Sequence, residues 1–170
     1  PPARVRAAMV YDRARGEHVL FGGNTTGTAC TGAYVKTALP AGAPLPDPAF
    51  QDTWTFDGAT WTQRGGAGPG PRYDHAMVWD GLRGKVILTG GTYCDCFGYQ
   101  GNPGVWGDVW TWDGTAWAQD VDAGGVANFF LGTPPGSTHH AAALDPTSGR
   151  PVMRGGKLGT DLWTFRSGRW

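Results

Sequence analysis

A short pattern of residues occurs three times along this chain with its internal spacing unchanged. Each copy has an aspartate ten residues before a Gly-Gly pair and a second aspartate nine residues before a tryptophan. The first spacing runs from Asp12 to Gly22, Asp80 to Gly90 and Asp145 to Gly155, and the second from Asp52 to Trp61, Asp108 to Trp117 and Asp161 to Trp170. Because chance does not keep two spacings fixed in three copies, the chain is built from three copies of one structural unit.

Within each copy the residues predict four short β-strands joined by tight turns. The middle copy shows the pattern clearly, with apolar runs at His75–Asp80 and Lys85–Gly91 and an alternating aromatic run at Asp108–Asp113. Runs of this length, bounded by Asp-Gly and Gly-Gly, are typical of strands and hairpin turns. No window has the apolar spacing of an amphipathic helix, so the sequence predicts an all-β fold.

One segment of the unit varies in length while the rest does not. The distance from the glycine pair to the second aspartate falls from 29 residues to 17 and then to 5. These distances are measured from Gly23 to Asp52, from Gly91 to Asp108 and from Gly156 to Asp161. A constant frame with one variable segment indicates loops inserted into a fixed structural unit.

This unit resembles the Kelch repeat, in which an apolar strand ending in Gly-Gly precedes an aromatic strand and a closing tryptophan, at a period of about 50 residues. The tandem array is similar to the bacterial Kelch and galactose-oxidase-like central domain. The resemblance implies a β-propeller with one four-stranded antiparallel blade per repeat. We therefore expect a single propeller region over 1–170, with three blades at approximately 4–61, 72–117 and 138–170.

The resemblance also gives structural roles to residues of the repeat. In the Kelch pattern an arginine stands three residues before a histidine where the blade begins, and Arg72 and His75 match it. The first copy keeps Arg4 without the histidine, and the third keeps His140 without the arginine. This uneven occurrence argues against a shared catalytic role. The residues expected to hold the blades together are Gly22, Gly23, Gly90, Gly91, Gly155, Gly156, Trp61, Trp117, Trp170, Arg72, His75 and His140.

The long segments are all predicted to leave the blades at the same end. Strands in a blade alternate in direction, so the first and third turns lie at one end, and the second turn and the inter-blade connector lie at the other. The long segments 24–51, 62–74, 92–107 and 118–139 all belong to this second group. Its candidate ligand-binding residues are the aromatic side chains Tyr34, Phe50, Tyr93, Phe97, Tyr99, Trp106, Phe129 and Phe130. Such side chains either pack on one another or present a binding surface. The sequence thus predicts a non-catalytic binding or scaffold module for a protein or glycan partner.

Two other functions also fit the pattern. The first is a segment of a galactose-oxidase-like secreted enzyme or metalloprotein, since Tyr93 lies beside Cys94 and four histidines are present. The copper ligands of that family do not match residue by residue, however, and no Ser-His-Asp, Walker or Rossmann pattern occurs. We therefore expect no catalytic residue, metal or cofactor. The second is a structural unit of a surface layer or filament that assembles through open blade edges.

Charge and cysteine content limit the expected partners and compartment. Fourteen basic and fourteen acidic residues cancel and are scattered, so neither nucleic acid nor a membrane surface is an expected partner. No apolar run is long enough to span a bilayer. The three cysteines cannot all pair within one chain, and we expect a disulfide of Cys30 with Cys94 or Cys96. Such a bond needs an oxidising compartment, which predicts an extracellular or cell-surface location.

Three blades are fewer than the four to eight that usually close a propeller. Two uncovered sheet faces are therefore expected, and each would be a large apolar patch in water. Either two copies of the chain form a homo-dimer that closes a six-bladed ring through a two-fold axis, or a longer chain supplies additional blades. The start at Pro1-Pro2 and the stop at Trp170 favour the longer chain.

Overall fold

The computed structural model describes residues 1–25, 49–92, 106–121, 140–155 and 162–165. In these ranges every regular element is a β-strand, and the strands form three antiparallel sheets, one for each copy of the sequence repeat. The prediction of an all-β fold is confirmed for this part of the chain. None of the described residues forms a helix that is long and apolar enough to cross a membrane.

The first two sheets have the same topology, because in each the four strands pair in chain order. Sheet 1 consists of β1 (Ala8–Asp12), β2 (Glu17–Phe21), β3 (Thr53–Phe56) and β4 (Trp61–Arg64). Sheet 2 consists of β5 (Tyr73–Asp80), β6 (Lys85–Thr92), β7 (Val109–Trp112) and β8 (Trp117–Val121). Sheet 3 has three described strands, β9 (His140–Asp145), β10 (Arg150–Gly155) and β11 (Leu162–Thr164).

In sheets 1 and 2, the tryptophan that ends the sequence repeat is the first residue of the fourth strand. Trp61 pairs with Phe56, and the strand then continues as far as Arg64. Residues 62–64 and 118–121, which the sequence pattern placed in connectors, therefore belong to β4 and β8. Their polar side chains gave no strand signal, but an edge strand is held by backbone pairing and needs few apolar residues.

The first aspartate of each repeat stabilises the tight turn between the first two strands of its sheet. After β1, Asp12 Oδ1 accepts hydrogen bonds from the backbone N–H groups of Ala14 and Arg15 at 3.0 and 3.2 Å. Asp80 Oδ1 accepts the equivalent pair of bonds after β5, and after β9 Asp145 accepts them with Oδ1 and Oδ2. An aspartate that bonds the backbone two and three residues ahead stabilises a turn, which explains its constant distance from the glycine pair.

Sheet 2 lies between sheets 1 and 3. Because side chains alternate along a strand, each sheet has two faces. The face of sheet 2 that packs on sheet 1, here called its aromatic face, consists of Met77, Trp79, Val86, Leu88, Trp110, Trp112 and Trp117. The opposite face, called the aliphatic face, packs on sheet 3 and consists of Ala76, Val78, Ile87, Thr89, Val109 and Thr111.

At both junctions, the aliphatic face of one sheet packs on the aromatic face of the next sheet. In sheet 1, Val19 and Phe21 occupy the positions of Ile87 and Thr89, so they belong to the aliphatic face of that sheet. They lie against the aromatic face of sheet 2. Ala142 and Phe165 of sheet 3 lie against Val78, Ile87 and Val109 of the aliphatic face of sheet 2. Among the described residues, the hydrophobic core therefore has two layers, one at each junction between sheets.

Candidate functional site

The segments that are longer than tight turns all start and finish at one end of the sheets. Segments 26–48 and 93–105 join the second and third strands of sheets 1 and 2, and segment 122–139 joins sheet 2 to sheet 3. Since neighbouring strands are antiparallel, this end lies opposite the aspartate turns. We call it the loop end. The side chains that fix it form the candidate functional site.

An arginine clamp holds the loop end of sheet 2. The side chain of Arg72, which stands just before β5, is fully buried. Its Nη1 and Nη2 atoms donate hydrogen bonds to Asp108 Oδ1 and Oδ2 at 2.6 and 2.8 Å, and Nη1 also donates to the carbonyl oxygen of Gly90 at 3.0 Å. Trp110 Nε1 donates to Asp108 Oδ2 at 2.7 Å. A bidentate pair of this kind fixes both planar groups, so the clamp ties the ends of three strands together.

Sheet 1 has an equivalent clamp. Arg4 Nη1 and Nη2 donate to Asp52 Oδ1 and Oδ2 at 2.6 and 2.9 Å, and Nη1 donates to the carbonyl oxygen of Gly22 at 2.9 Å. Trp54 Nε1 donates to Asp52 Oδ2 at 2.7 Å. Burial raises the pKa of Asp52, but the hydrogen bonds from Arg4 and Trp54 outweigh it and hold that pKa below its usual value.

An aromatic ring lies against each clamp. The guanidinium of Arg4 lies 4.2 Å from the centroid of the Phe50 ring, and that of Arg72 lies 4.8 Å from the Trp106 ring. Both rings come two residues before the clamp aspartate, and both residues donate a backbone N–H to the second glycine of the pair. Phe50 and Trp106 were predicted to bind ligand. In the described structure they cover the arginines, an arrangement that cation–π attraction favours.

A second ion pair joins sheet 1 to sheet 2. Arg6 Nε donates to Asp74 Oδ1 at 2.9 Å, Arg6 Nη2 bonds Asp74 Oδ2, and the backbone N–H of Asp74 donates to the carbonyl oxygen of Arg6 at 3.1 Å. Both residues adopt positive φ, 60° for Arg6 and 53° for Asp74, which is costly for side chains other than glycine. The sequence analysis missed this pair. The available signal was that both residues stand two places after the arginine position of their repeat.

His75 fills the space between the clamp of sheet 2 and sheet 1. The residue is buried, and its ring lies edge-on to Phe21 with 5.6 Å between centroids. Neither ring nitrogen has a hydrogen-bond partner among the described residues. Burial, together with the positive charges of Arg72 and His140, lowers the pKa of His75 to about 3. The imidazole is therefore neutral near pH 7 and acts as an apolar packing group.

The glycine pair is required because the sheets approach closely at the loop end. Gly22 has φ +64°, and a Cβ there would collide with the carbonyl oxygen of Arg72 and lie 2.9 Å from His75 Cε1. A side chain at this position would push sheet 2 away from sheet 1. The other described pair glycines, Gly23, Gly90, Gly91 and Gly155, also have positive φ.

The chemistry of the described part of the loop end is that of a rigid frame. The carboxylates and guanidiniums of its clamps bond one another and the backbone. Among the described residues no three His, Cys, Asp or Glu side chains are grouped so as to hold a metal ion. The third repeat's His140 contacts the preceding sheet, with Nε2 lying 3.2 Å from the carbonyl oxygen of Thr89.

Several residues singled out from the sequence lie outside the described residues, and what was expected of them stays a prediction. They are Tyr34, Tyr93, Phe97, Tyr99, Phe129, Phe130, Gly156, Trp170 and the three cysteines Cys30, Cys94 and Cys96.

Comparison with known proteins gives a likeness of fold. No family model and no curated protein matches the chain. A solved structure described as "Structure of YjhT" matches 97% of this chain with a TM-score of 0.53 and 13% sequence identity. The match covers 43% of that structure, so this chain spans less than half of its length. At such an identity the likeness shows a shared fold and says nothing of ligand or activity.

Proposed function

We propose that the three sheets are consecutive blades of a Kelch-type β-propeller, and that this propeller is a non-catalytic binding module. Its partner is a protein or a glycan held at the loop end. The meander topology of sheets 1 and 2 and their face-to-face packing support the propeller. The fixed offsets of the repeat support its Kelch character.

The observation that carries the binding role is the pair of arginine clamps. Arg72 bonds both Gly90, at the end of the strand before segment 93–105, and Asp108, at the start of the strand after it. Arg4 holds the two ends of segment 26–48 in the same way. Fixed ends reduce the conformational entropy that a loop loses on binding, so a clamp suits a loop whose job is recognition.

The residues of segment 93–105 indicate the chemistry of the partner. Tyr93, Phe97 and Tyr99 are separated by small and polar residues, and Asp95 is the only charged side chain in the segment. Aromatic rings with polar neighbours stack on the apolar faces of sugars and on protein side chains. We place this binding outside the cell or at its surface, where the proposed disulfide of Cys30 with Cys94 or Cys96 would be stable.

The test compares variants at the two ends of the sheets. The purified chain is screened on a glycan array and a random peptide display library, and its best binder is titrated against the Phe97→Ala and Tyr99→Ala variants. Each variant is expected to weaken binding by about 30-fold, as for an aromatic hot spot, with the unfolding midpoint unchanged. The control is Leu82→Ala, which removes an exposed apolar side chain from the opposite end.

Three results would count against this proposal. They are an absence of any binder in both screens, full binding by the Phe97→Ala/Tyr99→Ala double variant, and an equal loss of binding in Leu82→Ala.

A further inference from the structure

One face of sheet 1 repeats a face that is buried elsewhere in the molecule. The residues Met9, Tyr11, His18, Leu20, Trp54, Phe56 and Trp61 occupy the positions that Met77, Trp79, Val86, Leu88, Trp110, Trp112 and Trp117 occupy in sheet 2. In sheet 1 no described residue of another sheet covers this aromatic face. Met9 and Tyr11 are 56% and 46% exposed, whereas Met77 and Trp79 are each 8% exposed.

The uncovered face is a continuous aromatic surface. The ring of His18 lies 4.9 Å from that of Tyr11 and 6.4 Å from that of Phe56, measured between centroids. Phe56 in turn stacks on Trp61 at 5.0 Å. A contiguous apolar surface of this kind marks an interaction site rather than ordinary solvent-exposed sheet.

The same chain carries the face that fits it. The aliphatic face of sheet 3 consists of Ala141, Ala143, Val152, Arg154, Leu162 and Thr164, at the positions of Ala76, Val78, Ile87, Thr89, Val109 and Thr111 in sheet 2. It too is uncovered in the described structure, with Leu162 66% exposed. At both junctions inside the chain, an aliphatic face packs on an aromatic face.

We propose that the aromatic face of sheet 1 binds the aliphatic face of sheet 3 of a second copy of this chain. The inference rests on the propeller proposed above. Two such contacts, related by a two-fold axis, join two copies with three sheets each into a closed ring of six. Each contact repeats the face-to-face packing already present between sheets 1 and 2.

The proposed contact differs from the junctions inside the chain at two facing positions, and this difference favours pairing of sheet 1 with sheet 3. At the junction of sheets 1 and 2, the ring of Phe21 lies 5.6 Å from both His75 and Trp117. The equivalent residues at the open junction are Arg154 on one side and Ala7 and Trp61 on the other. Ala7 lies beside Gly23 in the same way as His75 lies beside Gly91. The histidine is thus replaced by alanine only where the residue facing it is a long arginine.

The exchange is complementary in size and in charge. Ala7 leaves room for the guanidinium of Arg154, and it removes an imidazole that would repel this guanidinium once protonated. Trp61, which is 36% exposed, offers the face of an indole ring to the guanidinium. At the remaining junction the pair is His140 and Thr89, so the histidine again faces a residue without charge.

The first measurement is the solution mass of the purified chain over a concentration series, by light scattering and sedimentation. One chain is 18.0 kDa, and the expected limit at high concentration is about twice that value. The Arg154→Glu variant replaces the cation with an anion at the proposed contact and is expected to weaken dimerisation by about tenfold or more. Arg13→Glu, an equal change of charge in the exposed turn after β1, is the control and is expected to dimerise normally.

The second measurement tests the facing positions directly. Ala7→His alone is expected to weaken the dimer, because the new ring meets Arg154. Adding Arg154→Thr to it recreates the histidine–threonine junction found between sheets 2 and 3, and is expected to restore the dimer. Circular dichroism melts of both variants check that the monomer folds.

A chain that remains a monomer overturns the inference, and so does an open series of species larger than a dimer. A dimer that tolerates Arg154→Glu, or that is not restored by the double variant, overturns the proposed contact. These readouts need no ligand, so their failure is separate from a failure to bind glycan or peptide at the loop end.

Discussion

The two arginine clamps make the same hydrogen bonds but differ in burial. The side chains of Arg72 and Asp108 are 0% and 8% exposed, against 5% and 19% for Arg4 and Asp52. The difference arises because sheet 1 lies over the clamp of sheet 2, where Gly23 donates its backbone N–H to the carbonyl oxygen of Arg72 at 2.9 Å. The neighbouring sheet, rather than the motif, therefore sets how much a clamp stabilises the protein.

The largest expected effect is the loss of the buried clamp. Arg72→Ala leaves the Asp108 carboxylate buried without its cation, and such an unpaired charge lowers the free energy of unfolding by about 3–5 kcal/mol. Arg4→Ala leaves a carboxylate that water reaches, and we expect a loss of about 1–3 kcal/mol. Urea unfolding at pH 7 measures both, at a protein concentration low enough to keep the chain monomeric.

The control for this pair removes both charges. The double variant Arg72→Met/Asp108→Leu is expected to be more stable than Arg72→Ala, since a well-packed apolar pair leaves no charge unpaired. Equal losses for Arg72→Ala and Arg4→Ala would show that burial by sheet 1 does not distinguish the clamps.

The next effect concerns the position three residues after each arginine, which is His75 in sheet 2 and Ala7 in sheet 1. The pKa of His75 is lowered from 6.5 to about 3 in the folded state, chiefly by burial. Below pH 6.5 the unfolded state therefore binds a proton that the folded state does not, and stability falls as the pH falls towards 3. Between pH 7 and pH 5, His75 alone is expected to lower the free energy of unfolding by about 2 kcal/mol.

The His75→Leu variant isolates this contribution. Its free energy of unfolding is measured by urea titration at pH 7 and at pH 5. Between these two pH values, the variant is expected to lose about 2 kcal/mol less stability than the wild type. The other three histidines and the carboxylates are present in both proteins, so their titration cancels. Parallel pH profiles would contradict the buried, neutral state of His75.

Much of the fold was predictable because short stretches of sequence determine its strands and turns. Asp-Gly and Gly-Gly turns, apolar runs and aromatic alternation each act over a few residues, and their repetition located the strands. What could not be predicted was the fourth strand beyond Trp61, since Thr62 and Gln63 have no pattern of their own and are placed by pairing with β3. How the sheets pack on one another is also not a local property.

The site was less predictable than the fold. Arg72 was recognised from its spacing to His75, but its partner Asp108 is 36 residues away and shares no local pattern with it. The ion pair of Arg6 and Asp74 depends on a left-handed backbone conformation at both residues, which their residue types do not predict. Aromatic character alone did not distinguish a ring that covers a clamp, such as Trp106, from one that is free to bind.

The smallest expected effect is at the turn before the fourth strand. Arg15 of sheet 1 lies against Gly114 in the turn of sheet 2, whereas a Cβ at the equivalent Gly58 of sheet 1 would meet no atom within 4 Å. Asp57 Oδ1 accepts two backbone N–H hydrogen bonds at 2.8 Å, and Asp113 Oδ1 accepts an equivalent pair. Asp113 also accepts the hydroxyl of Thr115 at 2.7 Å. Hydrogen bonds from the Ala116 and Thr115 N–H groups and from that hydroxyl lower the pKa of Asp113 to about 2.

We therefore expect Asp57→Ala and Asp113→Ala each to destabilise the protein less than Arg4→Ala does, with Asp113→Ala the more harmful of the two. Thermal unfolding at pH 7 measures the difference. In a Thr115→Ala background the extra hydrogen bond is absent, and the loss on Asp113→Ala should fall to that of Asp57→Ala. A difference that persists in that background would mean that the sheets, and not the turn residues, set the stability of even the exposed turns.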